Sequence, residues 1–219
     1  HGKLVQQDLN EEPASKLLKR INPKAEITCD NGQYGKRPFE IPNSWCWSRL
    51  GDINNIARGG SPRPIKDYLT DDKNGINWIK IGDTTREGKY IDSVKEKIRP
   101  EGMKKSRFVH KGDFLLTNSM SFGRPYILNV DGCIHDGWLV ISPIGEVYTS
   151  DFLYHLLSSS FAFEQFTNVA SGGVVTNLNS DKVADTIFPV PPLAEQQRIV
   201  AKIEKLFEQL DYIENSLEA

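Results

Sequence analysis

The residues that follow Pro189-Val190-Pro191-Pro192 constrain this chain more than any others. Ile199, Ile203, Leu206, Leu210, Ile213 and Leu217 recur at spacings of 4, 3, 4, 3 and 4, a heptad seam kept to the end of the sequence. The prolines cannot continue a helix from upstream, so one is expected to begin at Leu193. From there, a rise of ~1.5 Å per residue gives a rod of roughly 40 Å. Its other faces are charged, with Glu195, Arg198, Lys202, Glu204, Lys205, Glu208, Asp211 and Glu214. A seam this narrow and regular favours a partner helix as its cover. The simpler alternative is a helix that folds back on its own domain.

Upstream, the pattern is different. Short apolar or alternating runs at 45–50, 76–81, 108–117, 126–130, 138–142 and 187–190 lie between turn residues and read as strands. A helix is expected over 151–166, with Phe152, Leu156, Phe163 and Phe166 on its apolar face and Ser150 or Asp151 as its N-cap. Strands and helices do not alternate, which argues against a doubly wound parallel sheet. The expected class is α+β: an irregular, mixed, β-rich domain over 45–190, then a long coiled-coil-type helix over 191–219. Before them come an N-terminal segment, 1–23, and a Gly-, Pro- and Asn-rich linker, 24–44. Within the first segment, 7–21 reads as a short helix with acids and Pro13 in its first turn, stopped by Asn22-Pro23.

Charge narrows the partners. The chain carries a formal −2, but 56–126 holds 15 Lys/Arg against 9 Asp/Glu, a local +6 that leaves −8 elsewhere. A basic middle with acidic flanks can present a positive face while the whole stays near neutral. No apolar run reaches the ~18–20 residues that span a bilayer. The start lacks the apolar stretch of a signal peptide, and His1 is compatible with a piece cut from a longer chain. Cys29, Cys46 and Cys133 are odd in number and widely spaced, which argues against a disulfide or zinc framework and suits a reducing cytoplasm.

Catalytic patterns are not found. There is no glycine-rich cofactor loop, no Asn/Asp-Pro-Pro-aromatic motif, no phosphate-binding G-x-x-x-x-G-K-[ST] and no G-x-S-x-G elbow. His1, His110, His135 and His155 share no metal-ligand spacing. A nuclease-like set remains in Asp71 or Asp72 with Glu87 and Lys89, but 86–89 reads as a hairpin turn after a strand, a poor frame for a metal. His135-Asp136, if on a strand, point to opposite faces and make no dyad. No cofactor or metal is expected on this chain.

The polar loops suit recognition of nucleic acid instead. Arg58-Gly59-Gly60-Ser61-Pro62-Arg63 offers backbone free of side-chain bulk, a hydroxyl and guanidinium groups for phosphate or guanine. Lys80 leads into Gly82-Asp83-Thr84-Thr85-Arg86, a second loop with hydroxyls and an arginine. Thr117-Asn118-Ser119-Met120-Ser121-Phe122-Gly123-Arg124 is a third, in which Asn118 could read adenine. Ser171, Thr176 and Asn177 belong to a fourth, glycine-containing loop. The expected DNA-facing residues are therefore Arg58, Gly60, Ser61, Arg63, Lys80, Thr84, Thr85, Arg86, Asn118, Ser119, Ser121, Arg124, Ser171, Thr176 and Asn177.

These blocks resemble a known family. Gly59-Gly60-Ser61-Pro62, Ile76-Asn77-Trp78-Ile79-Lys80-Ile81-Gly82-Asp83, Ser171-Gly172-Gly173 with Asn177-Leu178, and Ile187-Phe188-Pro189-Val190-Pro191-Pro192-Leu193-Ala194-Glu195-Gln196-Gln197-Arg198-Ile199-Val200 occur in the order of type I restriction–modification specificity subunits. The opening Gly2-Lys3-Leu4-Val5-Gln6-Gln7-Asp8 with Glu12-Pro13-Ala14-Ser15-Lys16-Leu17-Leu18 is similar to the segment after the first long helix of such subunits. The resemblance implies a non-catalytic, DNA-binding target-recognition domain. It implies as partners double-stranded DNA, adenine-N6 methyltransferase subunits that use S-adenosylmethionine, and translocating restriction subunits. Whole members carry two such domains joined by two long antiparallel helices; this chain has one of each. Either it is a half-length subunit that forms a homodimer through its helix, or it is a piece of a two-domain protein. Two other readings stay open: a stand-alone metal-dependent nuclease, and a helical protein-binding adaptor.

Overall fold

Phe114-Leu115-Leu116 and Leu139-Val140-Ile141 are apolar without a break, as expected of strands buried on both faces. The computed structural model describes residues 2–29, 38–85, 87–118, 122–170 and 178–217 and places both runs in a middle layer. In chain order the elements are α1 (Ala14–Ile21), β1 (Cys46–Arg49), α2 (Leu50–Ile53), β2 (Asn54–Arg58), β3 (Leu69–Thr70) and β4 (Ile76–Ile79). Next come β5 (Tyr90–Ile91), β6 (Glu96–Ile98), β7 (Arg107–Val109), β8 (Phe114–Thr117), β9 (Pro125–Leu128), β10 (Gly132–Ile134) and β11 (Trp138–Pro143). The chain closes with α3 (Ser150–Leu157), α4 (Ser160–Ala170), α5 (Ser180–Ala184), β12 (Ile187–Val190) and α6 (Leu193–Leu217).

One sheet runs β2-β11-β8-β9-β5 and is antiparallel except for the β5–β9 pair. A second runs β3-β6-β4-β10-β7, with β4 and β10 parallel. Strands β1 and β12 pair separately. The period of two then sorts the middle layer: Phe114, Leu116, Ile127, Leu139 and Ile141 pack toward the helices, whereas Leu115, Tyr126, Leu128, Trp138 and Val140, with Ile91 of the same sheet, pack with Ile79, Val109 and Ile134 of the second sheet. Helices, sheet and sheet stack as three layers, so the α+β reading holds.

Several local expectations do not survive. The helix over 151–166 is two helices. Thr149, not Ser150 or Asp151, caps the first by accepting from the Phe152 amide, and the Ser159 hydroxyl accepts from the Ala162 amide to start the second. Helix α1 begins only at Ala14, with Pro13 as its N-cap and no acid in its first turn. The strands on either side of 86–89 do not pair with each other: β4 pairs with β6 and β10, and β5 pairs with β9. Cys29 and Cys46 form a disulfide, contrary to the reading of the cysteines. The cause is tertiary, since Thr28 and Trp47 exchange backbone hydrogen bonds of 3.2 and 2.8 Å and bring the two sulphurs together. The described part of 24–44 also packs down, with Ile41 buried and the Phe39 ring 5.0 Å from that of Trp47.

Helix α6 has two environments. Glu195, Gln196, Ile199 and Val200 are buried. The Glu195 carboxylate accepts from Trp45 Nε1 at 2.8 Å and from Gln7 Nε2 at 2.5 Å. Gln196 accepts from the Thr149 amide at 2.9 Å and donates to the Val147 and Pro191 carbonyls at 2.9 and 3.0 Å. Ile203 is half-buried, and beyond it Leu206, Leu210, Ile213 and Leu217 are exposed. Among the described residues no helix is long and apolar enough to cross a membrane.

Candidate nucleic-acid interface

The turn after β10 is where the loops meet. The carbonyls of the turn and of its two flanking residues, Ile134 and Trp138, are acceptors for three segments distant in sequence. Gly59 and Gly60 donate their amides to Trp138 and Ile134, at 2.9 and 3.1 Å. The Ser106 hydroxyl also donates to Ile134, and the Asn118 amide donates to Gly137. Arg58 Nε and Asn118 Nδ2 both donate to the Asp136 carbonyl, at 3.1 and 2.8 Å. Gly59 has to be glycine for this approach, since a Cβ there would lie 2.1 Å from the His135 carbonyl oxygen. The glycine pair therefore serves to let strands come close, and its amides are not free for phosphate as the sequence reading supposed.

Side chains gather above the turn. The Ser61 hydroxyl donates to Asp136 Oδ1 at 2.7 Å, and Arg63 reaches within 3.6 Å of Asp136 Oδ2 while remaining 82 % exposed. Lys80 pairs with Glu96 and lines, with Arg58, His135 and Asp136, a depression of about 450 Å³. Asn118 lies beneath the surface, 1 % exposed. That position corrects its assignment as a base reader: its amide holds the Asp136 peptide. His135 and Asp136 share a turn, not a strand, with Nδ1 and Oδ1 3.8 Å apart. They form no hydrolytic relay with Ser61, because Ser61 bonds to the acid and His135 Nε2 faces the Ile81 amide at 3.2 Å. Burial, with Lys80 nearby, pushes the His135 pKa down against the pull of Asp136 and Asp83. The hydrogen bond from Ser61, with His135 and Arg63 adding to it, holds the Asp136 carboxyl below its usual range.

A second cleft, of about 970 Å³, adjoins the first through Ile81 and is lined by Thr84, Arg124, Tyr126, Tyr154 and Phe163 among others. Arg124 lies over the Tyr126 ring at 5.7 Å, and the Thr84 hydroxyl donates to the Ile81 carbonyl. Thr85 is exposed next to it. The structure thus brings Arg58, Gly60, Ser61, Arg63, Lys80 and Asn118 to one turn and Thr84, Thr85 and Arg124 to its flank. Arg86, Ser119, Ser121, Ser171, Thr176 and Asn177 lie outside the described residues. Arg107 was missed: it is exposed, and its Nε donates to the Arg58 carbonyl at 3.3 Å. The run Lys104-Lys105-Ser106-Arg107 was the available signal. Asp136 was missed as well, and nothing local in the sequence marks it.

The nuclease set does not assemble. Lys89 bonds to Asp151 at 2.5 Å, Asp72 accepts from the Asn74 amide in its own turn, and no three His, Cys, Asp or Glu side chains gather as ligands among the described residues.

The family model for the type I restriction modification DNA specificity domain matches residues 42–219. The specificity subunit of the EcoEI type I restriction enzyme of Escherichia coli is 25 % identical over 100 % of this chain and 40 % of its own length. The MjaIX specificity subunit of Methanocaldococcus jannaschii is 29 % identical over 80 % of this chain and 40 % of its own. This chain therefore spans about 40 % of these curated relatives. The crystal structure of the HsdS subunit from Thermoanaerobacter tengcongensis superposes with a TM-score of 0.64 at 19 % identity, covering 93 % of this chain and 45 % of that one, which shows a shared fold.

Proposed function

The chain belongs to the type I restriction modification DNA specificity family, and from that premise we propose that it recognises one half of a two-part DNA site and catalyses nothing itself. The observation that supports this most is the convergence of Arg58, Arg63, Lys80 and Arg107 on the Asp136 turn. These cations come from three segments: Arg58 and Arg107 bond to backbone carbonyls, Arg63 and Lys80 face the Asp136 and Glu96 carboxylates, and Arg58 and Lys80 line the depression. Phosphate contacts from such residues would set register, and a few base contacts would set sequence. Methylation and cleavage belong, in this reading, to partner subunits: methyltransferases that bind S-adenosylmethionine, and a translocating restriction subunit. The site of action is then the cytoplasm, where that DNA lies. The apolar seam of α6 is assigned to a second long helix lying antiparallel to it, supplied by another copy or by another part of a longer chain.

The test is a salt titration of duplex binding by the purified chain. Each phosphate neutralised contributes about −0.9 to the slope of log K against log salt. Arg63→Ala is expected to weaken binding to every sequence alike and reduce that slope by about one. Binding that ignores salt, or an Arg63→Ala chain that binds as before, would remove this face from the interface.

A further inference from the structure

Asp136 is out of place for a phosphate-binding surface. It stands among Arg58, Arg63 and Lys80, yet an exposed carboxylate repels a DNA backbone. Its geometry is nonetheless tightly fixed. The Ser61 hydroxyl holds Oδ1, and the peptide is pinned through its carbonyl by Arg58 and Asn118, the latter itself buried. Oδ2 is different: its nearest cation, Arg63, is 3.6 Å away, beyond a hydrogen bond, and the side chain is 45 % exposed. The result is a firmly held acceptor oxygen, ionised and part-exposed within the basic face.

We propose that Asp136 determines specificity by accepting a hydrogen bond from an exocyclic amino group, cytosine N4 or adenine N6, on the major-groove edge of one base pair. This rests on the DNA-recognition reading above. A carboxylate accepts and cannot donate. Facing one orientation of a base pair it meets an amino donor; with the pair turned round it meets the O6 of guanine or the O4 of thymine and is repelled. The same charge weakens binding to DNA that offers no amino group at that point, so discrimination is gained by penalising wrong sequences.

The experiment is selection from a random duplex library with the full chain, comparing wild type, Asp136→Asn and Asp136→Ala. Asparagine keeps an acceptor for Ser61 but can also donate, so it should tolerate either orientation of the pair. Discrimination at one position is expected to fall roughly ten-fold while the rest of the motif persists. Affinity for scrambled duplex should hold or rise. In the selected site, replacing the amino-bearing base by purine (for adenine) or pyrimidin-2-one (for cytosine) removes only the amino group and identifies which base is read. Wild type should then bind about ten-fold more weakly, and Asp136→Ala should be indifferent. A motif unaltered by Asp136→Asn, or an amino-free site bound as tightly by wild type, overturns the proposal. So does a uniform loss at all positions together with a lowered melting temperature, which would mark Asp136 as a loop fastener alone. A wild-type chain that enriches no sequence defeats the recognition reading itself.

Discussion

From Leu193 to Val200, helix α6 is sealed against the domain; from Leu206 to Leu217 the same apolar seam faces water. The two halves are attached by different physics. At the root, Glu195 and Gln196 bond to groups whose positions are fixed by other parts of the chain, so the contact has direction as well as area. Further along, Leu206, Leu210 and Ile213 are 38, 58 and 53 % exposed and offer apolar area with no polar partner to orient it. Hydrogen bonds dictate how the helix leaves the domain, and burial is left to whatever lies alongside the outer half.

The sharpest way to break this contrast is Gln196→Leu. It strands the buried Val147 and Pro191 carbonyls, at roughly 1–3 kcal/mol each, and the part-buried Thr149 amide, at less. A loss of about 3–6 kcal/mol in urea unfolding is expected; a loss below about 1 kcal/mol would mean that apolar contact alone holds the root. Ile203→Ala probes the boundary. Its half-buried side chain should cost about 1–2 kcal/mol in the same assay, less than a fully enclosed isoleucine. Smallest for the fold is Leu206→Glu with Leu210→Glu, expected to leave unfolding within about 0.5 kcal/mol of wild type. Yet it should abolish self-association in sedimentation equilibrium, because each leucine left in water forgoes roughly 1.5–3 kcal/mol. A wild-type chain that stays monomeric at high concentration would reject pairing between copies and point to a helix from another part of a longer protein.

Legibility in the sequence followed the same division. The start of α6 was readable, because prolines and a heptad act locally. The six anticipated strand regions all contain strands, because apolar or alternating runs between turn residues need no partner to be recognised. Strands β3 and β5, of two residues each, and glycine-containing β10 carry no periodic signal; they exist because a neighbour pairs with them. The disulfide and the roles of Gly59, Asn118 and Asp136 depend on contacts between residues 17 to 78 positions apart, invisible to spacing. Of the site, Arg58, Arg63 and Lys80 were legible as charge. The turn that organises them was not.

The clamp at the foot of α6 has a mechanical consequence. At ~1.5 Å per residue, the helix beyond Val200 projects about 25 Å. A tilt of about 5° at the foot would swing its tip sideways by about 2 Å, a large part of the ~5.4 Å between successive turns. The stiffness of Glu195 and Gln196 in their sockets thus sets the angular tolerance with which Ile213 and Leu217 can meet another helix. Two side chains near the domain act as the bearing of a lever whose accuracy is needed at its far end.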